Sequence, residues 1–145
     1  MARGRPALLL GGLAGAGLAI ALYLSANEVA GTIAACLPGG GCETVEQSQY
    51  SHWLGIPVAF AGVANSGFLL ALIAAWWRTG DSRLLLAGYA QGLVGVVLEL
   101  YLVYLELFVI NAICAWCVAY GATILFGWLA LIVVQRRANR ADDAG

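Results

Sequence analysis

Four apolar stretches, each long enough to cross a lipid bilayer, constrain the fold of this chain most strongly. They comprise residues 6–25, 56–77, 84–105 and 112–134, and Glu99 is the one charged residue within them. About 20 apolar residues span the hydrocarbon core. Backbone groups in lipid must hydrogen-bond within their own segment, so each stretch is predicted to be a helix. We therefore predict an all-α integral membrane fold, a four-transmembrane-helix bundle with an outer loop at 26–55.

Composition supports one membrane domain over residues 1–145. The chain is 62% hydrophobic and 10% charged, and its mean hydropathy is +0.86. Soluble domains of this size carry about 25% charged residues. The net charge is −1 and no basic stretch is present to bind phosphates, so no nucleic-acid partner is expected.

The arginines predict the orientation in the membrane. All seven basic residues flank the predicted helices in three groups: Arg3 and Arg5, Arg78 and Arg83, and Arg136, Arg137 and Arg140. Four crossings place these groups on one side, which the positive-inside rule makes cytoplasmic. We expect a multi-pass protein of the inner or plasma membrane with both termini cytoplasmic. A cleaved signal peptide is the alternative for the first stretch, although that stretch exceeds the usual signal core.

The four cysteines form two pairs on the predicted outer side, where disulfides persist. Cys36 and Cys42 flank a loop with three consecutive glycines, which gives it freedom to close a disulfide or to move one cysteine elsewhere. Cys114 and Cys117 form a Cys-X-X-Cys at the start of the fourth helix, where the helix dipole favours a thiolate. The pattern indicates a dithiol–disulfide relay.

Other interpretations of the cysteines stay open at this point. Cys114 and Cys117 are alternatively buried small hydrophobes, and Cys36 and Cys42 are alternatively a static bridge. A four-cysteine zinc site would need X5 and X2 spacings, which such sites rarely combine, so no metal ligands are predicted.

The segment that follows the first pair, residues 43–54, is predicted to form a short capping helix at the membrane interface. Val45, Tyr50, Trp53 and Leu54 would form its apolar side. Ser48 is either a hydrogen-bond donor to a ligand beneath this helix or a solvated turn residue.

Four motifs together resemble the bacterial branch of the vitamin K epoxide reductase family. They are Gly-Cys at 41–42, Ser48, Gly-Ile-Pro-Val at 55–58 and Cys-Ala-Trp-Cys at 114–117. The resemblance covers about residues 8–134, and the combination in this order is specific although no single motif is.

The resemblance implies a helix bundle around a quinone (menaquinone or ubiquinone, similar to vitamin K), capped by the first loop. It implies that Cys114 and Cys117 are the redox centre and that Cys117 reacts with the quinone. Cys36 and Cys42 would carry electrons from a thioredoxin-like or DsbA-type partner, and Cys42 would bridge transiently to Cys114. We expect that partner to be a separate protein, because the chain ends at Gly145.

The resemblance also suggests a residue that acts near the quinone, because Ser48 matches the family's loop serine. Val58, Phe60, Trp116 and Tyr120 are candidates for the pocket wall, and the three aromatic residues are alternatively packing residues of their helices. Two departures favour plain quinone reduction over epoxide reduction. The start of the second helix carries no amide, and the position four residues after the last cysteine is glycine instead of the vertebrate tyrosine.

The remaining polar residues have several interpretations. Glu99 either supplies a proton to the quinone or is a neutral group bonded to a neighbouring helix. Glu106 is expected to be solvated and His52 to lie on the surface, with proton transfer as the alternative for His52. Asn65 and Gln91 are expected to pair helices.

The sequence thus predicts a membrane thiol–quinone oxidoreductase that supports disulfide formation in exported proteins. A DsbB-type oxidase is a rival, but its two cysteine pairs occur in the opposite order. The other alternative is a tetraspan structural or metal-binding membrane protein with a static loop disulfide.

Overall fold

The computed structural model describes residues 3–36 and 40–145 and contains four long helices. These are α1 (Gly4–Ala30), α3 (Val58–Thr79), α4 (Ser82–Tyr104) and α5 (Ala115–Asp143). Each is long and apolar enough to cross a membrane. The predicted all-α membrane bundle is therefore confirmed.

The four long helices are apolar on every side and pack directly against one another. Helix α1 packs against α3 and α5, and α4 packs against the same two helices. Leu10, Leu85 and Leu131 are almost fully buried where the helices meet, at the end that carries the arginines. Many large apolar side chains remain exposed on the outside, as expected where lipid is the solvent.

Helices α1 and α5 are longer than their apolar stretches. Helix α1 continues to Ala30 and is capped by Gly31, whose left-handed conformation (φ 67°) closes the last turn. Helix α5 continues through the polar residues after Val134 to Asp143.

The end of the third apolar stretch adopts a different type of helix. A π-helix, Leu105–Ile110, continues directly from α4 and ends at Asn111, which has a positive φ of 57°. Residues 111–114 then form a short linker into α5. π-turns of this kind occur frequently at functional sites.

The outer loop folds over one end of the bundle. It contains a short helix α2 (Cys42–Glu46), a 3₁₀ turn (Gln49–Ser51) and a hairpin of β1 (His52–Trp53) and β2 (Ile56–Pro57). His52 pairs with Pro57, and Trp53 pairs with Ile56. The capping helix thus begins at Cys42 itself and is shorter than the predicted segment. We refer to residues 40–57 as the cap.

Candidate functional site

Both cysteine pairs lie at the end of the bundle that the cap covers. Cys36 and Cys42 form a disulfide with a Cα–Cα distance of 6.2 Å, whereas Cys114 and Cys117 are both thiols. Cys42 and Cys114 have no solvent exposure. The structure therefore holds an oxidised pair and a reduced pair side by side, at one end of the molecule.

Gly41 brings the two pairs together. Its N–H donates a hydrogen bond of 2.9 Å to the Ile113 carbonyl oxygen. A methyl group at position 41 would lie 2.7 Å from the Ala112 Cβ and 2.8 Å from the Ile113 nitrogen, which is too close for any side chain. The backbone just before Cys42 therefore rests directly on the backbone just before Cys114.

Aromatic side chains hold the segment before Cys36 against the bundle. The Tyr23 hydroxyl accepts the Ala35 N–H at 2.9 Å, and the Trp116 Nε1–H donates to the Ala35 carbonyl oxygen at 2.6 Å. The Tyr23 and Trp116 rings lie 4.9 Å apart. Trp116 thus fixes the position of the first cysteine pair.

Cys114 is the N-cap of α5. Its sulfur accepts the Cys117 backbone N–H at 3.3 Å, and its own N–H donates to Glu106 Oε2 at 3.2 Å. A hydrogen bond from the Cys117 thiol lowers the pKa of Cys114, against the opposing effect of burial. A group of this kind forms a thiolate readily and is also a good leaving group in disulfide exchange.

Glu106 does not lie in solvent as expected. Its side chain is 4% exposed and points from the π-helix toward the start of α5. This burial is not visible in the sequence pattern, because the direction of a side chain in a π-turn depends on the extra residue in that turn.

A cavity of about 370 Å³ lies beneath the cap. This volume is within the range of small-molecule pockets, which are typically about 300–1,000 Å³. Its wall is mainly apolar, with Cys117 at one side. The predicted site residues that line it are Ser48, Val58, Tyr120 and Cys117.

A chain of polar side chains crosses the bundle at this cavity. The Tyr120 hydroxyl donates to the Gly62 carbonyl oxygen and accepts from Ser66 Oγ, both at 3.2 Å. Asn65 Nδ2 lies 3.4 Å from the same hydroxyl, and Gln91 Nε2 donates to Asn65 Oδ1 at 2.7 Å. The expected pairing of Asn65 with Gln91 is therefore present.

Asn65 places an amide at the cavity that the sequence analysis did not assign there. It lines the cavity two turns further along α3 than the segment that was inspected for an amide. A polar side chain within a membrane-spanning helix is a functional signal. Asn65 was expected only to pair with a neighbouring helix.

Phe60 and Trp116 are outside the cavity, contrary to prediction. The Phe60 side chain is 38% exposed on the outside of α3, and Trp116 packs on Tyr23. Both residues lie close in sequence to wall residues, but neighbouring positions on a helix point about 100° apart. One residue therefore faces the cavity while the next faces elsewhere.

Polar contacts hold the cap to α1 and to the loop that follows α1. His52 Nε2 lies 2.8 Å from Glu28 Oε1, and the Ala34 N–H donates to Glu46 Oε2 at 3.3 Å. Burial raises the pKa of Glu46. The Ser48 hydroxyl donates to the Val45 carbonyl oxygen at 2.7 Å, so in this state its proton is used to close the end of α2.

The sequence model of the vitamin K epoxide reductase family matches residues 8–132. The match spans all four long helices up to the middle of α5, the cap and both cysteine pairs. The family carries out thiol-dependent redox chemistry in membranes, which agrees with a disulfide and a dithiol at one end of a membrane bundle. The chain belongs to the vitamin K epoxide reductase family.

Proposed function

We propose that the protein is a membrane thiol–quinone oxidoreductase. It reoxidises a separate thioredoxin-like or DsbA-type partner and thereby supports disulfide formation in exported proteins. One observation carries the proposal. Cys117 lines an apolar cavity, while its pair partner Cys114 lies buried behind the backbone contact of Gly41 with Ile113.

Electrons enter through Cys36 and Cys42, which we call the loop pair. A thiolate of the partner attacks the Cys36–Cys42 disulfide, and resolution leaves the partner oxidised and both loop cysteines reduced. The Cys42 thiolate then attacks Cys114 of an oxidised Cys114–Cys117 pair and displaces the Cys117 thiolate. Cys36 next attacks Cys42 and displaces Cys114, whose lowered pKa suits it to leave.

The residues around the cavity fit a quinone. A quinone ring is flat and apolar with two carbonyl acceptors, and it accepts two electrons when bound. Asn65 Nδ2 offers a hydrogen-bond donor at the cavity. Val58 and Tyr120 contribute to the wall, and the Tyr120 hydroxyl donates to the Gly62 carbonyl oxygen. Ser48 and the cap keep water away, and Cys117 is the sulfur that faces the space.

The orientation follows from the arginines. We propose that both termini are cytoplasmic and that the cap with both cysteine pairs lies on the extracytoplasmic face of the inner or plasma membrane. The oxidised loop pair would then meet exported substrates of the partner protein.

The first test is an anaerobic quinone-reduction assay on purified protein in detergent, with a reduced thioredoxin-like protein as donor. Wild type is expected to reduce quinone with many turnovers, and Cys117→Ala is expected to lose at least about a thousandfold because no second sulfur completes the disulfide. Phe126→Leu, a change on the exposed outside of α5, is the matched control and should retain wild-type activity.

Absence of turnover with every quinone tested, from wild-type protein shown to be folded, would contradict the proposal. A structural protein with a static loop disulfide would then become the better interpretation. A zinc site is less consistent with the structure, because the Cys36 and Cys42 sulfurs are bonded to each other.

A further inference from the structure

Glu106 is a buried acid that the proposed electron path does not use. Its backbone oxygen accepts the Ala112 N–H at 3.0 Å, and its side chain accepts the Cys114 N–H at 3.2 Å. The Glu106 carboxyl group and the Cys117 side chain line the same cavity. The carboxyl group is therefore bonded to the backbone of Cys114 and shares a cavity with Cys117.

The π-helix produces this placement. Glu106 is the second residue of Leu105–Ile110, and the wider turn directs its side chain back toward the start of α5. The cap helix α2 packs against the same π-helix, which closes the site from outside. The Glu106 carboxyl group is consequently shielded from bulk water.

The titratable groups around Glu106 are carboxyl groups, thiols and tyrosine hydroxyls. Among the described residues that line the cavity, none is Lys, Arg or His. The titratable groups that face Glu106 or share its cavity come from every neighbouring element: Glu28 of α1, Glu46 of α2, Tyr50 of the 3₁₀ turn, Glu99 of α4, and Cys114, Cys117 and Tyr120 at α5. This set contains no cation that could form a static ion pair with Glu106.

We propose that Glu106 is the proton-transfer residue of the Cys114–Cys117 pair. Its carboxylate takes the proton of the Cys117 thiol and releases it into the cavity toward the quinone oxygen. The proposal rests on the proposed function and adds to it the route by which protons accompany the electrons.

In this step two electrons and two protons pass from the cysteine pair to the quinone. The reduced pair carries two thiol protons, and its conversion to a disulfide releases two electrons. The S–H bonds of Cys117 and Cys114 break, one S–S bond forms, and the quinone gains two electrons and two protons to become a quinol. Glu106 takes the first proton from Cys117, passes it on, and is then free to take the second from Cys114.

The test is single-turnover quinone reduction by the pre-reduced protein, followed over a range of pH. Glu106→Gln retains an oxygen that accepts the Cys114 N–H but cannot carry a proton. We expect it to slow the chemical step by about 10²–10⁴-fold without changing the quinone concentration for half-saturation. Glu106→Asp, which restores the acid, should regain part of the rate and a pH dependence.

Two controls separate proton transfer from a structural role. Glu43→Gln makes the same change at an exposed position of α2 and should leave the rate unchanged. Thiol exchange into the Cys36–Cys42 disulfide should be normal in Glu106→Gln, since that step precedes the proposed proton transfer. A wild-type rate and pH profile in Glu106→Gln would overturn the proposal.

A second measurement does not depend on quinone. Infrared difference spectra between the dithiol and disulfide states of Cys114–Cys117, generated with the thiol oxidant diamide, should contain a carboxyl band in wild type and in Glu43→Gln. That band should disappear in Glu106→Gln, and its persistence there would count against the proposal. If wild type reduces no quinone, the proposed function fails, and this spectrum alone decides whether Glu106 serves the thiols.

Discussion

At the scale of single residues, glycine positions decide how closely the reacting segments approach. Gly41 rests on the 112–113 backbone with no room for a side chain. Gly121 plays a similar role deeper in the bundle, where a methyl group would lie 2.5 Å from Glu99 Oε1. Gly121 thus makes space for the Glu99 carboxyl group.

Gly41→Ala is expected to slow electron transfer from Cys42 to Cys114. The added methyl group must displace the linker before α5, and a shift of about 1 Å at a reacting pair costs on the order of 10²-fold in rate. The measurement is alkylation trapping of Cys114 and Cys117 after a reduced donor is added. Gly12→Ala, where no described atom lies within 4 Å of the new methyl group, should behave as wild type. An unchanged rate in Gly41→Ala would show that this contact is not needed for exchange.

At the scale of helices, two pairs of glycines share the Gly-X-X-X-Gly spacing but differ in their contacts. Such spacing lets helix backbones approach closely. Gly88 and Gly92 do so, since methyl groups there would meet side chains of α3 and α5. Gly11 and Gly15 do not, because no described atom lies within 4 Å of a methyl group at either position. The same glycine spacing therefore lies at a helix contact in α4 but not in α1.

Gly92→Ala is expected to destabilise the bundle, whereas Gly11→Ala is not. A methyl group at position 92 would lie 2.8 Å from Trp128 Cδ1, and overpacking of this kind costs about 1–3 kcal/mol. Thermal unfolding in detergent should show a midpoint several degrees lower for Gly92→Ala. Equal midpoints for the two variants would mean that Trp128 moves aside freely.

At the scale of the whole molecule, the two ends of the bundle are different. The end with the arginines is closed by the core around Leu10, Leu85 and Leu131. The other end opens into the cavity and is covered by the cap, with both cysteine pairs beside it. Under the proposed function, a quinone would reach Cys117 through this cavity, and a partner protein would meet the Cys36–Cys42 disulfide beside the cap.

The orientation of this asymmetric molecule is open to a direct test. Alkaline phosphatase, which is active only after export, should be inactive when fused after Gly145 and active when inserted at Thr32 in the outer loop, because all seven arginines favour the cytoplasmic side. An active fusion at Gly145 would reverse the proposed orientation and place the cysteines in the reducing compartment.

The sequence by itself determined the membrane fold and the two pairs of cysteines. Lipid leaves a backbone few ways to satisfy its hydrogen bonds, so four apolar stretches of this length had to become four helices. The order and spacing of Cys36, Cys42, Ser48, Cys114 and Cys117 then carried the family resemblance, and the family match agrees with it.

Only the tertiary structure decided which side chains face the cavity. These helices are apolar on every side, so hydrophobic periodicity does not reveal their inner face. Phe60 and Trp116 were misplaced for that reason, and Asn65 was not assigned to the cavity. Glu106 was misjudged because the π-turn changes the helical phase, and the sequence carries no signal for that extra residue. Its burial against Cys114 arises from the packing of α4, the linker and α5 together.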